Sequence, residues 1–178
     1  MKIRWLIAAV GALALAGVVV GTVVSVRTPP ETVAKSCAAG AKAANLNFTL
    51  KDLHGQDVAL SRYTGKVLLL DFWATWCEPC KVEIPAFVDF QERYGKNGLQ
   101  MVGISIDDTP GQLEPYVKGM KMNYPVLVGK DRDDVQDAFG PLVGIPVTVV
   151  ISRDGRVCAS HAGLTGKDAF EREIKALL

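Results

Sequence analysis

An apolar run ends at a pair of cysteines in the sequence Leu70-Asp71-Phe72-Trp73-Ala74-Thr75-Trp76-Cys77-Glu78-Pro79-Cys80. From Val67 to Trp73 the residues are apolar almost without interruption, which predicts a central strand covered on both faces. A helical pattern follows from residue 78 to about residue 94. Cys77 and Cys80 therefore stand where a buried strand gives way to a helix.

This position of the cysteines predicts redox chemistry. At a helix N-terminus, unpaired backbone N–H groups and the helix dipole stabilise an anion. The thiolate of Cys77, which is the nucleophilic form of the side chain, is therefore favoured, and we expect its sulfur to be exposed. Cys80 lies one turn further along the same face, where its thiol can resolve a mixed disulfide. The sequence thus indicates an enzyme that exchanges thiols and disulfides.

Two other interpretations of the cysteine pair are less well supported. A zinc site needs about four ligands, whereas one Cys-x-x-Cys pair supplies two, and the only histidines, His54 and His161, are isolated. A purely structural disulfide between residues so close together would close too short a loop to restrain the unfolded chain. We therefore expect no metal and no cofactor.

The remaining pattern predicts an α/β fold built on a mixed sheet. Residues 46–60 form a candidate hairpin, 99–106 a second apolar strand, and Thr109-Pro110 the start of a helix. The turn Arg153-Asp154-Gly155-Arg156 joins strands at 147–152 and 157–161, and an amphipathic helix closes the chain at 166–178. Parallel crossovers with an antiparallel edge follow from this order of elements.

The N-terminus carries a membrane-targeting segment. Lys2 and Arg4 precede 21 uncharged residues, 6–26, enough to span a hydrocarbon core of about 30 Å. A cleaved secretory signal is the alternative, but its apolar core is usually only about 7–15 residues long. We interpret residues 1–27 as one retained transmembrane helix or signal-anchor, 28–45 as a linker and 46–178 as the folded domain. The basic residues keep the N-terminus in the cytoplasm and place the domain outside, in a bacterial periplasm or its equivalent.

The charge of the chain gives no reason to expect a nucleic acid partner. Its formal net charge is +1, and the sequence contains no basic run. Partners are instead expected among protein thiols and disulfides, because the cysteine pair is the only strong chemical motif.

The motif Trp76-Cys77-Glu78-Pro79-Cys80-Lys81-Val82-Glu83-Ile84-Pro85 is similar to the signature of the TlpA/ResA branch of thiol–disulfide oxidoreductases. This branch consists of membrane-anchored, extracytoplasmic proteins of the thioredoxin-like superfamily, of the AhpC/TSA-redoxin type. Gly144-Ile145-Pro146-Val147-Thr148 resembles its second signature. The resemblance covers about residues 46–178. It implies a thioredoxin-like fold with flanking helices, an N-terminal β-hairpin and a central βα insertion.

The same resemblance implies roles for the residues around the cysteines. Pro146 corresponds to a cis-proline whose loop faces the cysteine pair, although by sequence alone it is equally an ordinary loop proline. The backbone of Ile145 would pair with an extended substrate segment. Trp76, next to Cys77, is assigned to substrate binding and packing, not to the chemistry itself.

Two carboxyl groups close to the cysteines in sequence are expected to act on the thiols in different ways. Asp71, on an apolar strand, should be desolvated and have a raised pKa, so that it takes the proton of Cys80 during resolution. A hydrogen-bonded structural carboxylate is the alternative. Glu78 lies beside Cys77, and its charge should raise the thiol pKa and make the couple more reducing. As a residue in the first helical turn, Glu78 also interacts favourably with the helix dipole.

Cys37 and Cys158 are the remaining cysteines of the chain. In an oxidising compartment four cysteines suggest two disulfides, and this pair would tie the linker to a late strand. Two unrelated free thiols are the alternative.

Three functions are consistent with these features. The first is a reductase of protein disulfides that is kept reduced by an inner-membrane thiol donor; the resemblance implies apocytochrome c in cytochrome c-type biogenesis, or a copper-site assembly protein, as substrate. The second is a peroxiredoxin-like peroxidase with antioxidant activity, although Ala74 stands where that family normally has Thr or Ser. The third is a copper(I)-binding module, since a Cys-x-x-Cys pair offers soft thiolates.

Overall fold

The computed structural model describes residues 37–140 and 142–178. Its strands are β1 (Thr49–Asp52), β2 (Asp57–Ala59), β3 (Val67–Trp73), β4 (Leu99–Ser105), β5 (Val126–Val128), β6 (Val147–Ile151) and β7 (Val157–Ala162). Its helices are α1 (Glu78–Tyr94), α2 (Pro110–Gly119), α3 (Asp133–Ala138) and α4 (Lys167–Leu177). The predicted anchor, residues 1–27, lies outside the described part. None of the helices within it has the length and apolarity needed to cross a bilayer.

The seven strands form one mixed sheet in the order β2-β1-β5-β4-β3-β6-β7. The three central strands β5, β4 and β3 are parallel, whereas β1 and β2 on one side and β6 and β7 on the other run antiparallel to their neighbours. This arrangement confirms the predicted mixed sheet and the predicted N-terminal hairpin. The sequence predicted one antiparallel edge, and the structure has antiparallel strands at both edges.

Both faces of β3 are buried, as its continuous apolar sequence predicts. Leu68, Leu70 and Phe72 point into a core that includes α3, while Val67, Leu69 and Trp73 point into a core with α1, α2 and α4. Because successive side chains of a strand alternate between faces, Asp71 shares the face of Leu69 and Trp73. This is the face against which helix α1 carries the two cysteines.

The helices begin where the sequence places their caps. Cys77 is the N-cap of α1, and Pro79 lies in its first turn. At α2, Thr109 and Gln112 form a capping box, in which the Thr109 N–H donates to Gln112 Oε1 at 2.9 Å. Pro110 occupies the first turn, where its missing N–H leaves no intrahelical bond unmade.

The described end of the predicted linker is attached to the outer edge of β7. The Ala44 N–H donates to the Gly155 carbonyl at 2.8 Å, and the Val157 N–H donates to the Lys42 carbonyl at 2.9 Å. In the β6–β7 pair, Val150 faces Ala159 and Ile151 faces Val157, so that Cys158 is the extra residue of a bulge. Bulges redirect side chains. Here Cys158 forms a disulfide with Cys37, and their Cα atoms are 4.7 Å apart.

Candidate active site

Cys77 and Cys80 form a disulfide at the N-terminus of α1, with their Cα atoms 5.3 Å apart. As N-cap, Cys77 has an extended backbone (φ −78°, ψ 103°), and its Sγ accepts a hydrogen bond from the Cys80 N–H at 3.2 Å. The same N–H would stabilise a thiolate on Cys77 after reduction, together with the helix dipole. The local backbone therefore makes Cys77 the sulfur that ionises more easily.

The burial of the disulfide departs from the expectation of an exposed Cys77. Cys77 is only 2% exposed and Cys80 only 1%. Both side chains belong to the apolar core that includes Trp73 and Ile84, and Ile145 packs against this core. In the disulfide state the sulfur atoms are thus covered by neighbouring side chains. A protein that reacts with these sulfur atoms has to displace part of this cover first.

Asp71 is a buried carboxyl on the same side of the sheet as the cysteines. It is 1% exposed, and its Oδ1 accepts a weak hydrogen bond from the Thr148 hydroxyl at 3.4 Å. Its Oδ2 has no hydrogen-bond partner among the described residues. Burial, and secondarily the charge of Glu83, raise the pKa of Asp71 well above its usual value, with a small opposing effect from Thr148. Asp71 therefore holds a proton more firmly than an exposed carboxyl group would.

Glu83 is a second buried carboxyl, and the sequence alone did not predict a role for it. It is 3% exposed, and its Oε1 accepts a hydrogen bond from the Thr165 N–H at 2.6 Å. Burial raises its pKa, while the Thr165 N–H and the nearby His161 lower it. The sequence spacing could have indicated that Glu83 lies near the cysteines, because a residue three positions after Cys80 lies on the same face of a helix.

The loop before β6 carries the predicted cis-proline. The Ile145–Pro146 peptide bond is cis, and the Pro146 carbonyl accepts a hydrogen bond from the Gly163 N–H at 2.8 Å. Among the described residues, neither the N–H nor the carbonyl of Ile145 has a backbone partner. Because Ile145 also packs against the core that contains both cysteines, its backbone is available beside the redox site.

Comparison with known proteins identifies the family. The model of the AhpC/TSA family matches residues 39–160, which include the cysteine helix, the buried carboxyl groups and the cis-proline loop. The chain belongs to the AhpC/TSA family.

Relatives with similar sequences are named as thiol–disulfide oxidoreductases. The chain is 30% identical to thiol-disulfide oxidoreductase ResA of Geobacillus kaustophilus over 133 residues, which cover 74% of each protein. It is 28% identical to ResA of Bacillus thuringiensis over 131 residues, covering 74% of this chain and 75% of the relative. These similarities support a ResA-like protein with thiol–disulfide oxidoreductase activity.

A solved structure gives the same answer for the fold. A thiol:disulfide interchange protein of the thioredoxin family from Chlorobium tepidum superposes with a TM-score of 0.70 at 29% identity. The match covers 79% of this chain and 99% of that structure. The fold of this AhpC/TSA family member is therefore thioredoxin-like.

Glu78 faces solvent. Its side chain is 80% exposed and forms a salt bridge with Lys81 at 2.5 Å. Solvent and the ammonium group screen its charge, so its influence on Cys77 is weaker than the sequence position alone suggests. The carboxyl groups of Asp71 and Glu83, by contrast, are buried, so solvent screens their interactions less.

A cleft with apolar walls opens next to Glu83. Its volume is about 350 Å³, and its lining includes Val82, Ala86, Leu164 and Phe170. Val82 and Leu164 are also among the most exposed large apolar side chains of the described residues, together with Trp76 and Val143.

Across residues 37–140 and 142–178, no group of three or more His, Cys, Asp or Glu side chains is arranged to hold a metal ion.

Proposed function

We propose that the Cys77–Cys80 dithiol reduces disulfide bonds in proteins outside the cytoplasmic membrane. Apocytochrome c or a copper-site assembly protein would be the substrate, and an inner-membrane thiol donor would restore the dithiol. Residues 1–27 would anchor the domain with the N-terminus in the cytoplasm. One observation carries the proposal: Cys77 Sγ caps α1 and accepts from the Cys80 N–H, with the buried Asp71 on the same side of the sheet.

The first step is nucleophilic attack by Cys77. Its thiolate attacks one sulfur of the substrate disulfide and forms a mixed disulfide, while the other substrate sulfur leaves as a thiolate. The Cys80 N–H and the start of α1 stabilise the attacking anion. An extended substrate segment would pair with the free backbone groups of Ile145, next to cis-Pro146, and displace the cover over Cys77.

The second step is resolution by Cys80. Its thiol gives a proton to Asp71, and the resulting thiolate attacks Cys77 Sγ. The Cys77–Cys80 disulfide forms, and the second substrate sulfur leaves as a thiolate. The substrate thus gains two electrons and the dithiol loses two. The raised pKa of Asp71 supports this role, because its carboxylate holds a proton more firmly than an ordinary one.

The direction of electron transfer is supported by the charges around the pair. Asp71 and Glu83 are buried carboxyl groups without a salt-bridge partner among the described residues. A buried carboxyl group and a thiol close to each other resist being ionised together, which disfavours a thiolate on Cys77. A dithiol whose thiolate is less stabilised gives up its electrons more readily, so the couple is expected to be reducing.

We expect the reduction potential of the purified domain to lie nearer that of thioredoxin, about −270 mV, than that of a strong oxidant, about −120 mV. The measurement is equilibration with glutathione redox buffers and quantification of the Cys77–Cys80 disulfide. The Cys37→Ser/Cys158→Ser variant serves as control, because it leaves the Cys77–Cys80 couple as the only one titrated. A strongly oxidising value would contradict the reductase assignment.

A peroxidase remains the second candidate, and the match to the AhpC/TSA family favours testing it. Ala74 stands three residues before Cys77, where peroxidases normally have a hydroxyl side chain, and this argues against it. Peroxide-dependent oxidation of a thiol donor, absent from the Cys77→Ser variant, would establish that activity.

The second disulfide is proposed to be structural. Cys37–Cys158 joins residues 121 positions apart and fastens the end of the linker to the outer edge of β7. Closing so long a loop restricts the unfolded chain strongly, by a nominal contribution of over about 4 kcal/mol. This attachment would fix where the chain leaves the domain towards its anchor.

A further inference from the structure

The turn before Cys77 is held by residues from another part of the chain. Asp108 is 1% exposed, and its carboxylate accepts from the Thr75 N–H at 2.8 Å and from the Thr75 hydroxyl at 2.5 Å. The Ser105 hydroxyl donates to the same carboxylate at 2.6 Å. A buried carboxylate persists only when it is hydrogen-bonded. The two bonds from Thr75 fix the backbone immediately before Trp76, and the bond from Ser105 holds the Asp108 carboxylate in place.

The neighbouring Asp107 contacts Trp76 itself. The indole Nε1–H of Trp76 donates to Asp107 Oδ2 at 2.8 Å. Trp76 is nevertheless 59% exposed, so most of its ring surface faces solvent. A large aromatic ring is thereby held in one orientation at the surface, directly beside Cys77, by a bond at its polar edge.

The topology explains why these groups meet. Strands β3 and β4 are parallel, with Trp73 paired to Ser105, so both strands end at the same edge of the sheet. The Ile106 N–H continues this pairing by donating to the Trp73 carbonyl at 3.0 Å. Residues 74–77 and 106–109 leave the sheet side by side, which brings Asp107 within reach of the Trp76 indole.

We infer that Asp107 is a positioning residue that determines how well protein substrates bind: it holds the Trp76 ring as a preformed docking face for the segment around the substrate disulfide. Aromatic rings supply a large contact area, and a ring already ordered before binding costs less entropy on association. Asp107 touches neither sulfur, so its influence should be confined to substrate binding. This inference rests on the proposed reduction of protein disulfides.

The test compares a protein substrate with a small one. With insulin as the protein disulfide, Asp107→Ala should raise KM about threefold to tenfold, the cost of ordering one free side chain at an interface. With hydroxyethyl disulfide, which is too small to use the docking face, kcat/KM should stay within about twofold of the wild type. The matched control is Glu114→Ala, an exposed acidic residue on α2 whose loss changes the net charge equally.

Two further variants separate the hydrogen bond from the charge. Asp107→Asn keeps an acceptor oxygen and should restore most of the wild-type KM. Trp76→Phe removes the donor, so adding Asp107→Ala to it should change KM no further. An Asn variant that behaves like Ala, or additive effects in the double variant, would overturn the inference.

A spectroscopic readout tests the positioning of Trp76 by Asp107 separately from the proposed activity. In the 15N–1H NMR spectrum, Asp107→Ala should shift the indole N–H signal of Trp76 relative to that of Trp73. Glu114→Ala should leave the Trp76 signal in place. A wild-type protein that reduces no insulin refutes the proposed function, whereas an unchanged Trp76 indole signal in Asp107→Ala refutes the positioning role.

Discussion

Cys77→Ser is expected to lower the rate of disulfide reduction by at least about 10³-fold, for small and protein substrates alike. A serine hydroxyl at the start of α1 does not ionise near neutral pH, so the hydrogen bond from the Cys80 N–H has no thiolate to stabilise. Cys80 is not expected to take over the attack on external disulfides, because it lies inside α1 and not at the N-cap, where backbone N–H groups stabilise a thiolate. Insulin reduction with a chemical thiol donor measures the effect.

Folding of this variant is checked separately. The Cys37–Cys158 disulfide and the far-UV circular dichroism of Cys77→Ser should match those of the wild type, because the cysteine helix is also held by Ile84, Phe87 and Phe90 in the core. Substantial residual activity in Cys77→Ser would show that the roles of the two sulfur atoms are reversed if Cys80→Ser also failed to carry out even one attack on a substrate disulfide.

Asp71→Asn is expected to slow the resolving step roughly tenfold to a hundredfold near neutral pH. The amide keeps the shape of the side chain but cannot take the proton of Cys80. The decay of a preformed mixed disulfide on Cys77, followed over a range of pH, measures this step directly. In the wild type the rate should follow the titration of Asp71, and in the variant this dependence should disappear. A variant with the wild-type pH profile would remove Asp71 from the mechanism.

The same substitution has a consequence for stability with a defined sign. Burial raises the pKa of Asp71 in the folded protein above its usual 3.8, so the folded state holds the proton more tightly than the unfolded state. The resulting stability is fully present below pH 3.8 and is lost as the pH rises through the raised pKa. At higher pH the folded protein carries a buried carboxylate with one unpartnered oxygen.

Asp71→Asn removes the charge of this buried carboxylate and should therefore stabilise the folded protein at pH 8 more than at pH 5. The expected gain for Asp71→Asn at pH 8 is about 1–3 kcal/mol in the free energy of unfolding, the usual cost of an unsatisfied buried polar group. Urea unfolding at both pH values measures it. Asp168→Asn, at an exposed position of α4, serves as control and should show no such pH-dependent gain. Equal differences at both pH values for Asp71→Asn would mean that Asp71 titrates normally.

Local sequence patterns were sufficient for the elements that build the site. The continuous apolar run of β3 and the bounds of α1, from Glu78 to Tyr94, were both predictable, because periodicity and capping are encoded in neighbouring residues. The burial of Asp71 followed from its place in an apolar strand. The closing hairpin followed from its turn residues, since an Asp-Gly pair favours a tight turn.

The features that were missed depend on contacts between distant residues. Asp108 lies 33 positions from Thr75, and Asp107 lies 31 positions from Trp76. Such pairs meet only through the parallel alignment of β3 and β4, which no local pattern reveals. The cover over Cys77 has the same origin, because Ile145 reaches the cysteine core from a loop nearly 70 residues away. The solvent-facing orientation of Glu78 depends on its pairing with Lys81, one of several orientations that the sequence permits.

The central claim is that Cys77 attacks protein disulfides and that Cys80 releases them. Its most direct test is the full-length Cys80→Ser variant, expressed in a bacterial membrane, with mixed disulfides trapped by acid and identified by mass spectrometry. We expect a covalent adduct joining Cys77 to a cysteine of a protein outside the cytoplasm, absent from the Cys77→Ser/Cys80→Ser double variant. An adduct that forms without Cys77, or trapping through Cys80 in the Cys77→Ser variant, would contradict the account.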